Sequence, residues 1–378
     1  MNIWILKISE PIELGLTNQR LYRSGLLARK LLENGHKVTI WTSNMDHIKK
    51  TIRQKKTKTS NPINNFKEIQ LAGRLYTKNI SLARIGHNID VSKEFTRLAV
   101  NEEQPDIVVC NFPIIELAYA GLKYCKMKSI PYIVDVRDFW PDIFYEVLPK
   151  WLKFIGLFLF FPWESKSKKI LRNASGITGI TEEAIHWARN KIKQNIQTHD
   201  KPFPLAYIQD RSKIIDENFL IRNKINYKQH SIYCYIGSFS NRIELETIAN
   251  AAKILGSDKN NKIRLVICGE GEQFEDLYAI GKKYSSLIVP GWIEKNQINT
   301  LLNISKAGIL PYKSSLDFMR AYPNKVGEYL SAGLPILSSV QGAMKELLSG
   351  QNCGLTYQNR SPESFLRALK KPTSVGFI

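Results

Sequence analysis

The amino-acid sequence predicts an α/β protein built from two doubly wound parallel sheets that follow one another along the chain. Apolar strand-like runs alternate with helix-like segments in both halves, which is the pattern of βαβ units. A polar stretch with two prolines, Asn195–Pro204, separates the halves and is the expected hinge. The length of 378 residues fits two or three domains, at roughly 100–200 residues each.

The first half contains a regular series of these segments. The strand Asn2–Ile8 leads into a loop that contains Gly15, where a glycine lets a phosphate approach the backbone closely. One glycine is equally compatible with a simple connector. The remaining predicted strands are Lys37–Thr42, Pro105–Cys110, Pro131–Val136 and Ala174–Thr181, and the predicted helices are Arg20–Asn34, Ser92–Glu103, Ile114–Cys125 and Glu182–Ile192.

The second half repeats the alternation, with glycines in its connecting loops. Its predicted strands are Ser231–Tyr235, Arg264–Cys268, Leu287–Val289 and Ala307–Leu310, and its predicted helices are Glu244–Leu255, Phe274–Lys283 and Asn296–Leu302. Loops with Gly237, Gly269 and Gly291 follow the first three strands. Each of these glycines is a weak signal when taken alone, because turns commonly use glycine.

The stretch Tyr322–Val340 (YPNKVGEYLSAGLPILSSV) carries the clearest chemistry. Asn324 is a candidate N-cap of a short helix, and Gly333 ends that helix before a buried strand. Lys325 and Glu328 are three residues apart, so both side chains leave one helix face near the N-terminus. A cation, a carboxylate and free backbone N–H groups can hold a phosphate beside a hydroxyl-rich sugar. An exposed ion pair on an ordinary helix is the alternative.

This stretch closely resembles the donor-site signature of retaining glycosyltransferases of family four, in the branch with a Pro-Asn-Lys lead-in. Met1–Ser43 resembles the first strand-helix-strand unit of the same enzymes, and Pro105–Asp142 resembles their Arg-Asp-aromatic-Trp-Pro turn after a central strand. The family has the GT-B fold, two Rossmann-like domains facing across a cleft. The resemblance implies an acceptor-binding domain over 1–195, a nucleotide-sugar-binding domain over 205–360, and a shortened C-terminal helix over 361–378 that crosses back towards the first domain.

The resemblance also implies the residues of the donor site. Glu328 would hold the ribose, Arg242 would bind the diphosphate, and Lys325 would replace a companion lysine that Ile243–Thr247 lacks. These three are the expected catalytic residues. An earlier family glutamate is here Arg320, a departure that bears on recognition of the donor sugar. The other expected donor-binding residues are Gly15, Gly237, Gly269, Glu270, Gly291, Trp292 and Asn324.

On the acceptor side, Arg137 and Asp138 are the expected contacts, because they follow a parallel strand at its carboxyl end. A structural ion pair at the strand end is the alternative for them. The sequence contains no Asp-x-Asp motif, so no metal is expected, and arginine, lysine and helix N-termini would stabilise the leaving phosphate.

The resemblance implies a metal-independent, retaining transfer from a nucleoside-diphosphate sugar, with no further cofactor. The implied acceptor is a growing glycan or a polyprenyl-phosphate-linked sugar, in capsule, O-antigen or exopolysaccharide synthesis. Two other functions are alternatives to this one. A GT-B sugar-nucleotide epimerase needs acid and base groups in the cleft, and the six histidines lie outside the matched motifs. Nucleic-acid binding needs a known module or basic residues interleaved with exposed aromatic ones, and neither is found.

The net charge of +20 calls for an anionic partner, and a membrane surface is one of the options. The basic run Lys49–Lys58 is ordinarily a solvated loop, and the aromatic run Leu148–Trp163 is ordinarily a buried helix. Together with flanking lysines, Trp151, Phe158, Phe161 and Trp163 also match an interfacial helix. No signal peptide or membrane-spanning run is apparent, and five scattered cysteines suit a reducing compartment. We therefore expect a cytoplasmic protein, peripheral on the inner face of a bacterial plasma membrane.

Overall fold

The computed structural model divides the chain into two compact units, Met1–Ala206 and Tyr207–Ile378. It describes residues 1–8, 10, 21–47, 50–78, 81–142, 149, 151, 153–207, 214–315, 318–319 and 322–371. The predicted hinge lies just before this division. Part of that stretch, Lys201–Pro202, forms an edge strand of the first unit.

The first unit contains an eight-stranded sheet flanked by helices. Its strands are β1 (Asn2–Leu6), β2 (Lys37–Ser43), β5 (Lys58–Ile63), β6 (Phe66–Leu71), β7 (Ile107–Phe112), β8 (Tyr132–Val136), β9 (Gly176–Gly179) and β10 (Lys201–Pro202), and a separate small pair is formed by β3 (Met45–Asp46) and β4 (Thr51–Ile52). The described helices are α1 (Arg23–Glu33), α2 (Leu82–Ala99), α3 (Ile115–Lys128), α4 (Lys153–Arg172) and α5 (Glu182–Lys191).

The strand order of this sheet is β10-β9-β8-β7-β1-β2-β6-β5, and only β5 runs antiparallel to its neighbour. The chain starts in the middle at β1, moves outward through β2, and returns to β7 on the other side of β1. This reversal creates a topological switch point between β1 and β7, where open α/β sheets bind ligands at their carboxyl edge. Stacked and edge-to-face rings of Trp4, Trp41, Phe95 and Tyr124 form part of the core beneath that edge.

The second unit contains a six-stranded, fully parallel sheet. Its strands are β11 (Ser231–Ile236), β12 (Ile263–Cys268), β13 (Leu287–Gly291), β14 (Ser305–Leu310), β15 (Ile336–Ser338) and β16 (Gly354–Thr356). Their order in the sheet is β13-β12-β11-β14-β15-β16, so the switch point lies between β11 and β14. The described helices are α6 (Glu217–Arg222), α7 (Leu245–Gly256), α8 (Phe274–Lys283), α9 (Lys295–Ile304), α10 (Asn324–Ser331), α11 (Ala343–Gly350) and α12 (Pro362–Lys370).

Two parts of the first unit differ from the sequence prediction. The helix predicted at Ser92–Glu103 begins ten residues earlier, where the Ser81 hydroxyl accepts a hydrogen bond from the Arg84 backbone N–H at 3.2 Å. The strands β3 to β6 were not predicted. Most residues of β5 are exposed on an edge strand, so its sequence lacks the apolar alternation that reveals a strand.

The C-terminal helix α12 packs on its own unit. Phe365, Ala368 and Leu369 are buried in the second-unit core, and the Tyr233 hydroxyl donates to the Leu369 carbonyl oxygen at 3.0 Å. The family resemblance implies that this segment crosses towards the first domain. The described helix α12 packs against α7. Residues 372–378 lie outside the described part of the chain.

Of the aromatic run Leu148–Trp163, the part from Lys153 onward lies in helix α4, which continues to Arg172. Residues 148, 150 and 152 of the run lie outside the described part of the chain. The exposed fractions of Phe158 and Phe161 are 71% and 66%, whereas the Trp163 indole donates to a Glu116 carboxylate oxygen at 2.8 Å. Helix α4 therefore exposes the rings of Phe158 and Phe161 to solvent, whereas the Trp163 ring is held by its hydrogen bond to Glu116. Among the described residues, no helix has both the length and the apolar character needed to cross a bilayer.

Candidate active site

Three loops at the carboxyl edge of the second sheet lock together through their backbones. The Gly237 N–H donates to the Cys268 carbonyl at 2.9 Å, and the Gly269 N–H donates to the Gly291 carbonyl at the same distance. The Phe239 N–H donates to the Glu270 carbonyl at 2.8 Å. The ends of β11, β12 and β13 therefore form one continuous edge, and it contains three of the predicted donor-binding glycines.

The Gly269–Glu272 turn requires glycine because backbones pass very close to each other. Gly269 has φ +150°, and a Cβ atom there would lie 1.7 Å from the Gly237 carbonyl oxygen. Gly271 has φ +144°, and its Cβ would lie 2.8 Å from the Phe239 carbonyl carbon. Close packing of the two loops thus accounts for both glycines without a ligand. Trp292, beside this edge, has an exposed fraction of 72%.

Helix α10 begins at this edge with uncapped backbone N–H groups. The prediction that Asn324 is the N-cap is wrong: Pro323 holds that position with φ −59° and ψ 146°, and Asn324 is the exposed first helical residue. A proline side chain has no oxygen that could accept a hydrogen bond, so no side chain caps this helix. Its N-terminus remains suited to an anion.

The Lys325–Glu328 pair on this helix is buried. The Lys325 Nζ lies 2.6 Å from the Glu328 Oε2, and the exposed fractions of their side chains are 16% and 2%. The alternative of an exposed surface pair is therefore wrong. A carboxylate this deeply buried costs several kcal/mol in desolvation unless it is paired. The Lys325 ammonium provides that pairing and holds the carboxylate in place.

Arg242 approaches the same region from the loop after β11. Its guanidinium lies 4.6 Å above the Phe318 ring, and its carbonyl accepts a hydrogen bond from the Lys313 N–H at 3.1 Å. The centroid of the Tyr312 ring lies 4.5 Å from that of the Phe318 ring. The charges of Glu328 and Arg242 both act on the Tyr312 hydroxyl. Burial and then the Glu328 charge raise the pKa of Tyr312 to about 12, while the Arg242 charge opposes this rise.

The structure therefore brings together Arg242, Lys325 and Glu328 at the switch point between β11 and β14. Tyr312 and Phe318 were missed by the sequence analysis. Tyr312 could have been found from its position two residues after the predicted strand Ala307–Leu310, because residues there face the switch point. Gly15 and Arg320 lie outside the described residues.

In the first unit, the Arg137 side chain is held in a network of buried charges. It donates to Glu10 Oε2 at 3.1 Å, to Asp135 Oδ2 at 3.2 Å and to the Ser24 hydroxyl at 2.9 Å. Glu10 in turn accepts hydrogen bonds from the backbone N–H groups of Ser24 and Gly25, at the start of α1. This is the structural ion pair that the sequence analysis kept as an alternative. It occupies the carboxyl edge beside β1.

Asp135 is the most constrained carboxylate of this network. Arg23 donates to it at 2.9 and 3.0 Å, and the Thr178 hydroxyl donates at 2.8 Å. Burial, the largest single influence, raises the pKa of Asp135. The hydrogen bonds from Arg23 and the charge of Arg137 outweigh it and hold the pKa at about 2. Asp138, the second expected acceptor contact, is exposed.

The chemistry of a metal site is not found in the part of the chain that the structure describes. No three histidine, cysteine, aspartate or glutamate side chains there are placed to hold a metal ion. All five cysteines are buried free thiols. The positive groups at the second switch point are an arginine, a lysine and a helix N-terminus.

Comparison with known proteins identifies the fold. Residues 230–372 match the family model described as glycosyl transferases group 1, while no curated protein matches significantly. Sucrose-phosphate synthase from Thermosynechococcus elongatus superposes with a TM-score of 0.69 at 13% identity, covering 98% of this chain and 88% of that one. The chain has the GT-B fold. The predicted pair of Rossmann-like domains is thereby confirmed.

Other solved structures of the same fold extend the comparison. WaaG, a glycosyltransferase involved in lipopolysaccharide biosynthesis, has a TM-score of 0.65 at 15% identity, covering 99% of this chain and 90% of that one. HepE from Anabaena, solved in complex with UDP, has a TM-score of 0.63 at 10% identity, covering 99% and 92%. At these identities the likeness concerns the fold, while the family-model match covers the unit that carries Arg242, Lys325 and Glu328.

Proposed function

We propose that the protein is a glycosyltransferase that uses a nucleoside-diphosphate sugar. The observation that carries this proposal is the buried Lys325–Glu328 pair, at the uncapped N-terminus of α10, beside Arg242 at the second switch point. The match of this unit to the glycosyltransferase group 1 model supports it. Neither the epimerase nor the nucleic-acid alternative has a comparable observation in its favour.

Each group in this site has a part in binding the donor. Glu328 would accept hydrogen bonds from the ribose hydroxyls, and a hydrogen bond to a charged group contributes about 1.5–3 kcal/mol. Arg242, Lys325 and the backbone N–H groups of α10 would bind the diphosphate. The charge on the leaving phosphate grows as the bond to the sugar breaks, so prepositioned cations stabilise the transition state.

The transfer itself would retain the anomeric configuration. The bond between the sugar C1 and the phosphate oxygen breaks, and a bond from C1 to the acceptor oxygen forms on the same face. The leaving phosphate oxygen takes the acceptor proton, so no protein base is required. Proton NMR of the anomeric signal of the first-formed product tests this point: an inverted product would contradict a retaining mechanism.

For the acceptor, we propose a glycan or a polyprenyl-phosphate-linked sugar reached at a membrane surface, as in synthesis of surface polysaccharides. Helix α4 supports this by exposing Phe158, Leu159 and Phe161, and its C-terminal half contains Lys166, Lys168 and Lys169. Exposed aromatic rings flanked by cations suit an anionic bilayer interface. The wild-type protein should co-sediment with phosphatidylglycerol vesicles, and this binding should be lost when Phe158 and Phe161 are both changed to serine. The matched control Ile221→Ser, at an exposed position of the second unit, should sediment normally.

Donor binding is tested by thermal melting with UDP, GDP, ADP, TDP and CMP. A ligand present at 100 times its Kd adds about 2.7 kcal/mol to the free energy of unfolding. One nucleoside diphosphate should stabilise the wild type and fail to stabilise Glu328→Gln. The control Glu275→Gln, at an exposed position of α8, should keep the full shift. If none of the nucleotides shifts the melting temperature, the proposal is wrong.

A further inference from the structure

A cluster of positive groups surrounds one buried ring in the first unit. Tyr76 is 3% exposed, and Lys50 Nζ lies 5.2 Å and Arg84 Cζ lies 5.9 Å from its ring centroid. His47 Nδ1 is 2.5 Å from the Tyr76 hydroxyl oxygen and 3.4 Å from Lys50 Nζ. Lys7 lies near enough for its charge to act on His47. These four side chains, Lys7, His47, Lys50 and Arg84, are called the cationic cluster below.

The cationic cluster lies where a parallel sheet offers its ligand site. Lys7 directly follows β1 at the switch point, and His47 follows β3, which comes just after β2. Arg84 also stacks on the Trp140 ring at 5.3 Å, in the turn after β8. The cluster therefore reaches the carboxyl ends of several neighbouring strands, which is the edge where doubly wound sheets bind ligands. Lys50, Arg84 and Trp140 are all partly exposed, so solvent reaches them.

The positive groups of the cluster disfavour one another's charge. Burial, followed by the charges of Lys50, Arg84 and Lys7, lowers the pKa of His47 to about 4. Burial and then the Arg84 charge lower the pKa of Lys50. Burial and then the charge of Arg137, which lies outside the cluster, lower the pKa of Lys7 to about 8, against the opposing charges of Glu10, Asp138 and Asp135. An anion bound beside Lys50 and Arg84 would raise the pKa values of His47 and Lys50.

Helix α2 adds to the positive potential instead of offsetting it. Its first turn contains Arg84 and no acidic residue, although the positive end of a helix dipole favours acidic residues there. Among the nearby carboxylates, Asp46 lies 3.7 Å from Arg53, and its charge also acts on His47 and Lys50. Asp135 and Glu10 pair with the arginines of the neighbouring network. A concentration of cations at a helix N-terminus is the arrangement that binds phosphate.

We propose that the cationic cluster binds a phosphate group carried by the acceptor. Several separate cations suit a tetrahedral group with three free oxygens, because each oxygen accepts from a different donor. The identification of the ligand as an acceptor rests on the proposed glycosyltransferase function. The anion site itself does not depend on that function. The phosphate could come from a polyprenyl phosphate or from a soluble sugar phosphate, and both share this chemistry.

The test is isothermal titration of the full-length protein with farnesyl phosphate, inorganic phosphate and farnesol. Lys50→Gln combined with Arg84→Gln should weaken binding of farnesyl phosphate at least about tenfold, through loss of two charged donors. The matched control Arg97→Gln removes a cation from the other end of α2 and should leave the affinity unchanged. Equal affinity in the double variant, or an equal loss of affinity in Arg97→Gln, would overturn the inference.

Two further arms identify the source of the phosphate and check the fold. Farnesyl phosphate binding at least about tenfold tighter than inorganic phosphate, with farnesol inactive, supports a lipid-linked acceptor; equal affinity for the two phosphates supports a soluble one. Arg84→Lys, which keeps the charge, should recover most of the binding. NMR titration of His47 should show its pKa rising when phosphate binds, and an unchanged value would contradict contact with the cluster.

The outcome separates this inference from the proposed function. If nucleoside diphosphates stabilise the wild type and the Lys50→Gln/Arg84→Gln variant alike, the donor site is intact and the loss of phosphate binding belongs to the cluster. If no nucleoside diphosphate stabilises the protein, yet phosphate binding depends on Lys50 and Arg84, the glycosyltransferase proposal fails and the anion site stands.

Discussion

The charged side chains near the two switch points of this molecule are arranged in opposite ways. In the second unit, one lysine and one glutamate form a buried pair, so Lys325 offsets the charge of Glu328. In the first unit, Lys50 and Arg84 gather around one tyrosine and disfavour each other's charge. The same carboxyl-edge geometry thus yields a charge-balanced site and a positively charged one. Removing a cation should therefore have opposite effects on stability in the two units.

The largest effect is expected at Lys325. Lys325→Met leaves the Glu328 carboxylate buried without its lysine, and removal of one partner of a buried pair costs about 3–5 kcal/mol. Urea unfolding monitored by circular dichroism measures this loss. Glu328→Gln should cost less, because no carboxylate charge remains buried. A loss under about 1 kcal/mol for Lys325→Met would show that the pair is solvated in solution.

An intermediate effect is expected at Asp135 as the pH falls. Its pKa in the folded protein is about 2, below the 3.8 of the unfolded chain, so it stabilises the fold above that unfolded value. This contribution, about 2 kcal/mol, is lost as the pH falls from about 4 to about 2.

The measurement for Asp135 is the free energy of unfolding against pH, in the wild type and in Asp135→Asn. The wild type should lose stability through this acidic range, and the variant, already less stable at pH 7, should lose less. Asp276→Asn, at an exposed position of α8, is the control and should follow the wild type. Parallel profiles for Asp135→Asn and the wild type would contradict a lowered pKa in the folded protein.

The smallest effect, with the opposite sign, is expected at the cationic cluster. Without bound phosphate, Lys50→Gln should raise the free energy of unfolding by up to about 1 kcal/mol, because it removes charge repulsion from Arg84. The gain should shrink at 1 M salt, where the Debye length is about 3 Å. Thermal melting in low and high salt measures it, with Arg97→Gln as the control. If Lys50→Gln lowers the free energy of unfolding at low salt, removal of a cation has the same sign of effect in both units and the predicted difference between them is wrong.

Much of the fold follows from the sequence, because parallel strands buried on both faces leave apolar runs that are easy to see. The edge strand β5 does not, since most of its residues face solvent. The start of α2 was also missed, because polar residues such as His87 and Asn88 are buried in the structure and interrupt the apolar pattern. Burial of those polar residues depends on tertiary contacts that no local pattern contains.

Some contacts of the candidate sites could likewise be predicted from the sequence, and others could not. Lys325 and Glu328 are close in sequence, so their meeting on one helix face could be predicted. Arg23 and Glu10 are far in sequence from Asp135 and Arg137, and only the folded sheet brings them together. The cationic cluster likewise joins residues separated by tens of positions. The basic run Lys49–Lys58 predicts a solvated loop or a contact with anionic lipid, because charge alone does not reveal which residues become neighbours.

Hydrogen–deuterium exchange with a saturating nucleoside diphosphate tests the central claim most directly. The account predicts slower exchange in peptides that cover the Gly237–Arg242 loop, the Gly269–Glu272 turn and the start of α10, with little change around Lys50 and Arg84. Glu328→Gln, measured at the same nucleotide concentration, should show far weaker protection. Protection confined to the cationic cluster, or none in the second unit, would contradict a donor site built on Lys325 and Glu328.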